Sequence, residues 1–208
     1  MLKYFCIEVV ASLFSQKPHE KKETVTRTFR IDAELNDVLE REAKRQGISV
    51  NHLVNSIFQR YACFDRLARS SNFISMTKHA FREIIKGIPL EHLARAGENT
   101  GSKDIQDVLD MLGLPSDYDS FTHLVTNHFG GPNCAMWFNC YRSFKQNRVL
   151  LHLQHDLGRE WSIYLQNYFL SYLKTLKVDC ETKAYDYAVN IRPLQSHHPI
   201  LDISHRNP

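Results

Sequence analysis

The stretch from residue 24 to about 65 is the part of the chain that most restricts its possible folds. Its first eight residues, Thr24–Ile31, alternate polar and apolar side chains as a half-buried β-strand does. Asp32 is a typical helix N-cap, and apolar residues then recur at helical spacing until Gly47, a typical residue at a helix end. Ser49 predicts the N-cap of a second helix. The apolar stripe of that helix comprises Val50, Leu53, Val54, Ile57, Phe58 and Tyr61.

A unit of one strand and two helices cannot fold alone. A single strand leaves its backbone amides and carbonyls unpaired, and so few residues bury too small a core. Two copies solve both problems when their strands pair antiparallel about a two-fold axis, above four interlocked helices. Phe29 and Ile31 then face the helices, whereas Thr26, Thr28 and Arg30 face outward. We therefore expect a homodimer with a two-stranded ribbon, which has the dimensions to enter the major groove of DNA.

This order of signals resembles the ribbon-helix-helix repressor family, over about a fifth of the chain. The residues that carry the resemblance are the segment Thr-Arg-Thr-Phe-Arg-Ile-Asp at 26–32, the helix at 34–46, the Gly-Ile-Ser-Val-Asn turn at 47–51 and the helix after it. The resemblance implies that Thr26, Thr28 and Arg30 contact base edges in double-stranded DNA. It also implies that Ser49 and Asn51, where the second helix begins, hold a backbone phosphate.

The chemistry of these residues suits such contacts. Arg30 offers a bidentate fork to guanine, and threonine contacts either class of base or a thymine methyl group. Amides at a helix start suit a phosphate oxygen. The alternative is that the threonines are ordinary exposed strand residues and that Arg30 pairs with Glu34. Residues 21–69 contain ten Lys and Arg against seven Asp and Glu, so we expect weak non-specific binding.

The region from about 73 to 192 predicts a second, α+β domain with an antiparallel sheet. Helices come first, followed by the order strand, strand, helix, strand. We expect helices at 80–87, 89–96, 102–112, 121–130 and 158–176, and strands at 134–141, 148–153 and 185–191. The layout is similar to small-molecule-sensing α/β modules of the haem-nitric-oxide and vinyl-reductase type, a likeness that implies no site residues. A ligand-sensing or oligomerisation domain is therefore expected.

Histidines and cysteines cluster in the middle of this second region. His123, His128, Cys134, His152 and His155 form a candidate site for a transition metal or haem, because imidazole and thiolate are suitable ligands. The alternative is chance, since eleven histidines in 208 residues produce close spacings and none matches a known ligand signature. No GxSxG, HExxH or Gly-rich phosphate loop is present, so the sequence does not predict an enzyme.

The ends of the chain are expected to lie outside both domains. Residues 1–23 form an arm and charged linker, and residues 193–208 form a tail that predicts disorder. Five scattered cysteines without a CxxC pair indicate a reducing compartment, and no apolar run is long enough to span a bilayer. The start of the chain resembles a signal peptide, but Glu8 interrupts its apolar run.

These features together predict a cytoplasmic transcriptional regulator that binds DNA as a homodimer, or as a higher oligomer, without membrane contact. Two alternatives remain open. In the first, the N-terminal unit is an antitoxin-like module that folds around a partner protein. In the second, the C-terminal region is a metal- or haem-binding sensor or enzyme tethered to DNA.

Overall fold

The computed structural model describes residues 24–66, 68, 74–131, 134–145 and 148–194. They form six α-helices, two short π-helical segments and one four-stranded sheet. In chain order these are α1 (Ala33–Gln46), α2 (Val50–Arg60), π1 (Tyr61–Asp65), α3 (Lys78–Lys86), α4 (Leu90–Leu112), α5 (Tyr118–His123), π2 (Leu124–Phe129), β1 (Asn139–Lys145), β2 (Arg148–Gln154), α6 (Arg159–Thr175), β3 (Cys180–Ala184) and β4 (Ala188–Pro193). The predicted arm at 1–23 and the tail beyond Leu194 lie outside the described residues.

The N-terminal unit contains the two predicted helices but no strand within the single chain. Residues 24–32 have no regular secondary structure, and the strand pairings of the described residues involve only β1 to β4. A strand needs a hydrogen-bonded neighbour, so a ribbon between two copies stays a prediction. Asp32 does precede α1, but its side chain makes no capping hydrogen bond.

The turn between α1 and α2 agrees with its sequence signals. Gly47 ends α1 with φ of 69°, a left-handed conformation that favours glycine. Ser49 caps α2, because its side chain accepts a hydrogen bond of 3.1 Å from the His52 amide. Both predictions depend on contacts within a few residues, which explains why the sequence was sufficient for them.

The C-terminal region is α+β with an antiparallel sheet, as predicted, but two of its expected helices form one. One helix, α4, replaces the two expected at 89–96 and 102–112. Ser102 therefore lies inside α4 and is not an N-cap. The run from Gly97 to Ser102 is rich in weak helix formers, which predicts a break. Packing against α6 keeps this run helical, because Gly97 and Gly101 are both buried against that helix.

The sheet has the order β1-β2-β4-β3, and every neighbouring pair is antiparallel. The β1–β2 hairpin is confirmed, although β1 begins at Asn139 and not at Cys134. The expected single strand at 185–191 is instead the second strand of a hairpin, β4, which begins at Ala188 and pairs with β3. Pro193 lies at the end of this strand, opposite Cys180, and so belongs to the sheet.

The hydrophobic core lies almost entirely in the C-terminal region. Helix α6 packs between α4 and the sheet. Alternate residues of the two central strands face it, and four of them are fully buried: Leu151, Leu153, Val189 and Ile191. Helical spacing of the apolar residues at 158–176 predicts an inward face of Trp161, Leu165, Tyr168, Phe169, Tyr172 and Leu176. The first five are buried, whereas Leu176 directly follows α6 and is half-buried. Among the helices described, none combines the length and apolarity needed to cross a bilayer.

Candidate functional site

The residues expected to contact bases lie on the segment before α1. Thr26, Thr28 and Arg30 are all exposed. Within the described part of the chain, Arg30 forms no ion pair with Glu34 or with any other carboxylate. The alternative in which Glu34 neutralises Arg30 is therefore not seen, and the guanidinium group is accessible for an external acceptor.

The residues expected to contact phosphate lie at the start of α2. The Ser49 hydroxyl caps the His52 amide, and the Ser49 carbonyl accepts from the Leu53 amide at 3.0 Å. The amides of residues 50 and 51 are thus the ones that a helix start leaves without an intrahelical partner. The first turn of α2 contains no acidic residue, and Asn51 is exposed. This arrangement suits one oxygen of a phosphate group.

Beside these two groups the N-terminal unit exposes a large apolar surface, which we call the apolar face. It consists of eight side chains with exposed fractions between 44% and 68%: Val25, Phe29, Ile31, Leu35, Val38, Ile57, Phe58 and Tyr61. The rings of Phe29 and Phe58 meet edge to face with centroids 5.8 Å apart. Phe29 therefore does turn toward α2, as the alternation of the sequence predicted.

The apolar face has no matching core beneath it. Among the described residues up to Arg66, only three side chains are buried: Ala43, Leu53 and Cys63. Large exposed apolar surfaces often mark interfaces. The described part of the N-terminal unit therefore exposes more large apolar side chains than it buries.

The predicted metal site is not assembled in this structure. Among the described residues, no three His, Cys, Asp or Glu side chains are arranged to hold a metal ion. His152 bonds to Asn190 at 2.5 Å on the sheet face opposite the core, whereas His155 bonds to Ser162 at 2.9 Å. His123 lies next to Asn127, with 3.2 Å between their nitrogen atoms. His152 lies on β2, and His155 lies in the loop after it and has a different partner. The histidines are close in sequence, but they do not form one metal site.

Two members of the predicted set, His128 and Cys134, do lie close together, around Cys63. The His128 ring hydrogen-bonds to the backbone of Cys63, and the Cys134 side chain hydrogen-bonds to the Cys63 side chain. Burial lowers the pKa of His128 to about 4, so this histidine is neutral near pH 7. The sequence did not single out Cys63 as a site residue, because nothing in the pattern around residue 63 separates it from an ordinary core cysteine.

A cavity of about 720 Å³ lies next to this cluster. It is lined by three carboxylates of α4 (Asp104, Asp107 and Asp110) and by aromatic rings from π1, π2, α6 and the segment before β1 (Phe64, Phe129, Trp137, Tyr164 and Tyr168). Burial, and then repulsion from Asp107, raise the pKa of Asp104. Aromatic walls with a few convergent polar groups are typical of small-molecule sites. One wall of the cavity could be found from the sequence, because helical spacing places Asp104, Asp107, Val108 and Met111 on one face of α4. The opposite wall comes from segments far away in the chain.

The chain thus offers two candidate sites: the exposed segment and helix start of the N-terminal unit, and the aromatic cavity where that unit meets the C-terminal region. No family model matches this chain, and no curated protein or solved structure is significantly similar to it. The functional proposal below therefore depends on the residues and geometry of this chain and on the resemblance in residues 26–51.

Proposed function

We propose that this protein is a sequence-specific DNA-binding transcriptional regulator that acts as a homodimer through residues 24–66. The observation that carries the proposal is the apolar face, which lies beside a segment of alternating polar and apolar residues that has no strand partner. A second copy supplies what a single chain lacks, namely a strand for residues 24–31 and a cover for the apolar residues. The result is a ribbon-helix-helix dimer.

Pairing would bury much of the exposed apolar area. Full burial of a large apolar side chain contributes about 1.5–3 kcal/mol, so burying the exposed half of each of the eight residues contributes about 1 kcal/mol apiece, or roughly 8 kcal/mol per chain. Backbone hydrogen bonds across the ribbon add to this. These contributions oppose the cost of ordering residues 24–32 and the loss of free rotation on association.

Pairing of the ribbon leaves one row of side chains for DNA. Phe29 and Ile31 turn to the helices, so Thr26, Thr28 and Arg30 face outward together from both copies. The Arg30 fork reads guanine O6 and N7 in the major groove, and the threonines contact neighbouring bases. The helix starts at Ser49 and Asn51 bind the flanking phosphates and fix the position of the ribbon.

The C-terminal region supplies regulation in this proposal, through the aromatic cavity or through further oligomerisation. The cavity volume of about 720 Å³ falls within the range of small-molecule sites. Phe64 of π1 lines the cavity, and π1 directly continues α2, the helix that Ser49 caps. A ligand in the cavity that binds one placement of π1 more tightly than another therefore changes the affinity for DNA. The size of the change is set by the difference between the affinities of the ligand for the two placements.

Selection of bound fragments from random DNA, followed by anisotropy titrations with Arg30→Ala, tests the proposal. We expect the variant to lose about 1–3 kcal/mol, or roughly 5- to 150-fold, on the selected sequence and little on a scrambled one. Arg95→Ala, an exposed arginine on α4, is the charge-matched control and should bind like the unmodified protein. Unchanged discrimination by Arg30→Ala would remove Arg30 from the base contacts.

Light scattering tests the dimer separately. A protein that stays monomeric at micromolar concentration and selects no DNA would refute the proposal. The same result would favour the antitoxin-like alternative, in which a different protein covers the apolar face. That alternative would then predict a partner that binds across Phe29, Ile31 and Phe58.

A further inference from the structure

The junction between the two units is formed by the two π-helical segments. The ring of Phe64 in π1 lies 6.0 Å from the ring of His128 in π2. Arg60, at the end of α2, donates a hydrogen bond of 3.4 Å to the Cys134 carbonyl. The chain around Cys134 is itself tied to π2, because the Ala135 amide donates to the His128 carbonyl at 2.9 Å. Insertions of this π-helical kind occur frequently at functional sites.

Two thiols face each other in this junction. Cys63 of π1 is 1% exposed and Cys134 is 3% exposed, and their side chains are joined by a hydrogen bond. Both are free cysteines. The His128 ring hydrogen-bonds to the backbone of Cys63. The His128 carbonyl accepts a hydrogen bond from the amide of Ala135, the residue after Cys134. Two cysteines roughly 70 residues apart in sequence therefore meet at this junction, and the backbone at Cys134 is fixed there by its contacts with Arg60 and His128.

The surroundings of the two sulfur atoms are not equivalent. The hydrogen bond from Cys134 lowers the pKa of Cys63, and the positive charge of Arg66 acts in the same direction against the effect of burial. The same hydrogen bond, together with burial, raises the pKa of Cys134. Cys63 is thus the better thiolate and Cys134 the proton donor. The other two described cysteines differ, since burial raises the pKa of both Cys140 and Cys180.

We propose that Cys63 and Cys134 form a redox site that a hydroperoxide converts into an intramolecular disulfide. The Cys63 thiolate attacks one peroxide oxygen, the O–O bond breaks, and the second oxygen leaves as water or alcohol after taking a proton. This step oxidises the sulfur by two electrons to a sulfenic acid. The Cys134 sulfur then attacks the Cys63 sulfur, so that the S–S bond forms, the S–OH bond breaks, and the hydroxide leaves as water with the Cys134 proton. The peroxide is reduced, and a dithiol reductant reverses the change.

Two cavities lie next to the residues that follow the cysteine pair. Phe64 and Ala135, which directly follow Cys63 and Cys134 in the chain, each line both the aromatic cavity and a second cavity of about 960 Å³. A hydroperoxide would have to approach the sulfur atoms from one of these cavities.

The disulfide would join π1, and hence α2, covalently to the segment before β1. It would hold the N-terminal unit in one placement relative to the C-terminal region. The chemistry of the pair does not depend on DNA binding, whereas its consequence for regulation rests on the proposed function.

Peptide mapping of the full-length protein tests the redox site. The protein carries Cys6→Ser, so that the four described cysteines are the only thiols, and is reduced and then treated with one equivalent of hydrogen peroxide. After alkylation and digestion without reductant, we expect a peptide pair joined through Cys63 and Cys134 and the loss of two of four thiols. Cys140→Ser and Cys180→Ser are matched controls that should give the same linked pair.

The variants at the site identify the order of the steps. In Cys134→Ser, oxidation should stop at a Cys63 sulfenic acid that dimedone traps, whereas Cys63→Ser should consume peroxide at least tenfold more slowly. The measurement on the protein with both cysteines needs neither variant, so a folding defect in a variant does not remove the test. A folded protein that yields no linked pair, or that oxidises Cys140 or Cys180 first, would overturn the proposal.

DNA titrations of the reduced and oxidised protein separate the two proposals. Failure of the reduced protein to bind selected DNA would contradict the proposed function, but it would not contradict the formation of a disulfide between Cys63 and Cys134. Binding by the reduced protein together with the absence of any disulfide would contradict only the redox site.

Discussion

Helices α4 and α6 cross at close range, and Gly101→Ala should disrupt this crossing. A Cβ atom at residue 101 would lie 2.0 Å from the Tyr168 carbonyl oxygen and 2.6 Å from the Ser171 hydroxyl. One turn earlier, a Cβ atom at Gly97 would lie 2.4 Å from the Tyr164 carbonyl oxygen. These obstacles are mostly backbone atoms of α6, which cannot rotate away. The two helices would therefore have to separate by about 1 Å or more to restore ordinary contact distances of about 3.5–4 Å.

The size of the effect follows from two opposing contributions. Alanine is favoured over glycine inside a helix by about 1 kcal/mol. Overpacking costs about 1–3 kcal/mol, and a gap of 0.5–1 Å loses a quarter to a half of each dispersion contact along the crossing. Because α6 is the centre of the core, we take the upper end of the overpacking cost and expect a net destabilisation of about 2 kcal/mol. Gly87→Ala is the matched control, since its nearest neighbour, the Ile84 carbonyl oxygen, would lie 3.8 Å from the new Cβ atom.

Urea denaturation, followed by circular dichroism and tryptophan fluorescence, measures this difference. The midpoint should fall for Gly101→Ala at an unchanged slope, whereas Gly87→Ala should remain within about 0.5 kcal/mol of the unmodified protein. A loss below about 1 kcal/mol for Gly101→Ala would show that the helices do not approach as closely as described. In that case the account of why α4 stays helical through residues 97–102 would also fail.

Two further predictions concern pH and assembly. Burial lowers the pKa of both His128 and His155 to about 4 from an ordinary 6.5, so the unfolded chain takes up protons first as the pH falls. The contribution of these two histidines to the free energy of unfolding should be complete above pH 6.5 and should decline as the pH falls from 6.5 to 4. In His155→Gln the urea midpoint should fall less steeply over this range, because unfolding takes up about one proton fewer. A pH profile identical to that of the unmodified protein would contradict a neutral His155. Phe29→Glu should convert the dimer to monomer in light scattering and abolish operator binding, because it places a charge in the centre of the apolar face; Thr24→Glu is the control, and a Phe29→Glu dimer would refute the ribbon arrangement.

Local signals in the sequence were reliable where the physics is local. The end of α1 at Gly47 and the cap at Ser49 follow from contacts within a turn of the same helix. The apolar stripe of α6 follows from the spacing of its residues, although α4 and the sheet are what bury it. The same reasoning failed between residues 97 and 102, where weak helix formers predicted a break. There the glycines are selected by close packing against α6, a partner roughly 70 residues away in sequence.

The candidate sites divide in the same way. The alternation in residues 24–31 predicted that Phe29 turns toward the helices, and the contact between Phe29 and Phe58 agrees with it. The ribbon between two copies stays a prediction. The grouping of histidines did not predict a site, because strand alternation sends His152 and the core residues beside it to opposite faces. Only the tertiary structure brings Cys63 to Cys134. Periodicity records which face of an element is buried, whereas the neighbour that buries it is decided by how elements far apart in the chain pack together.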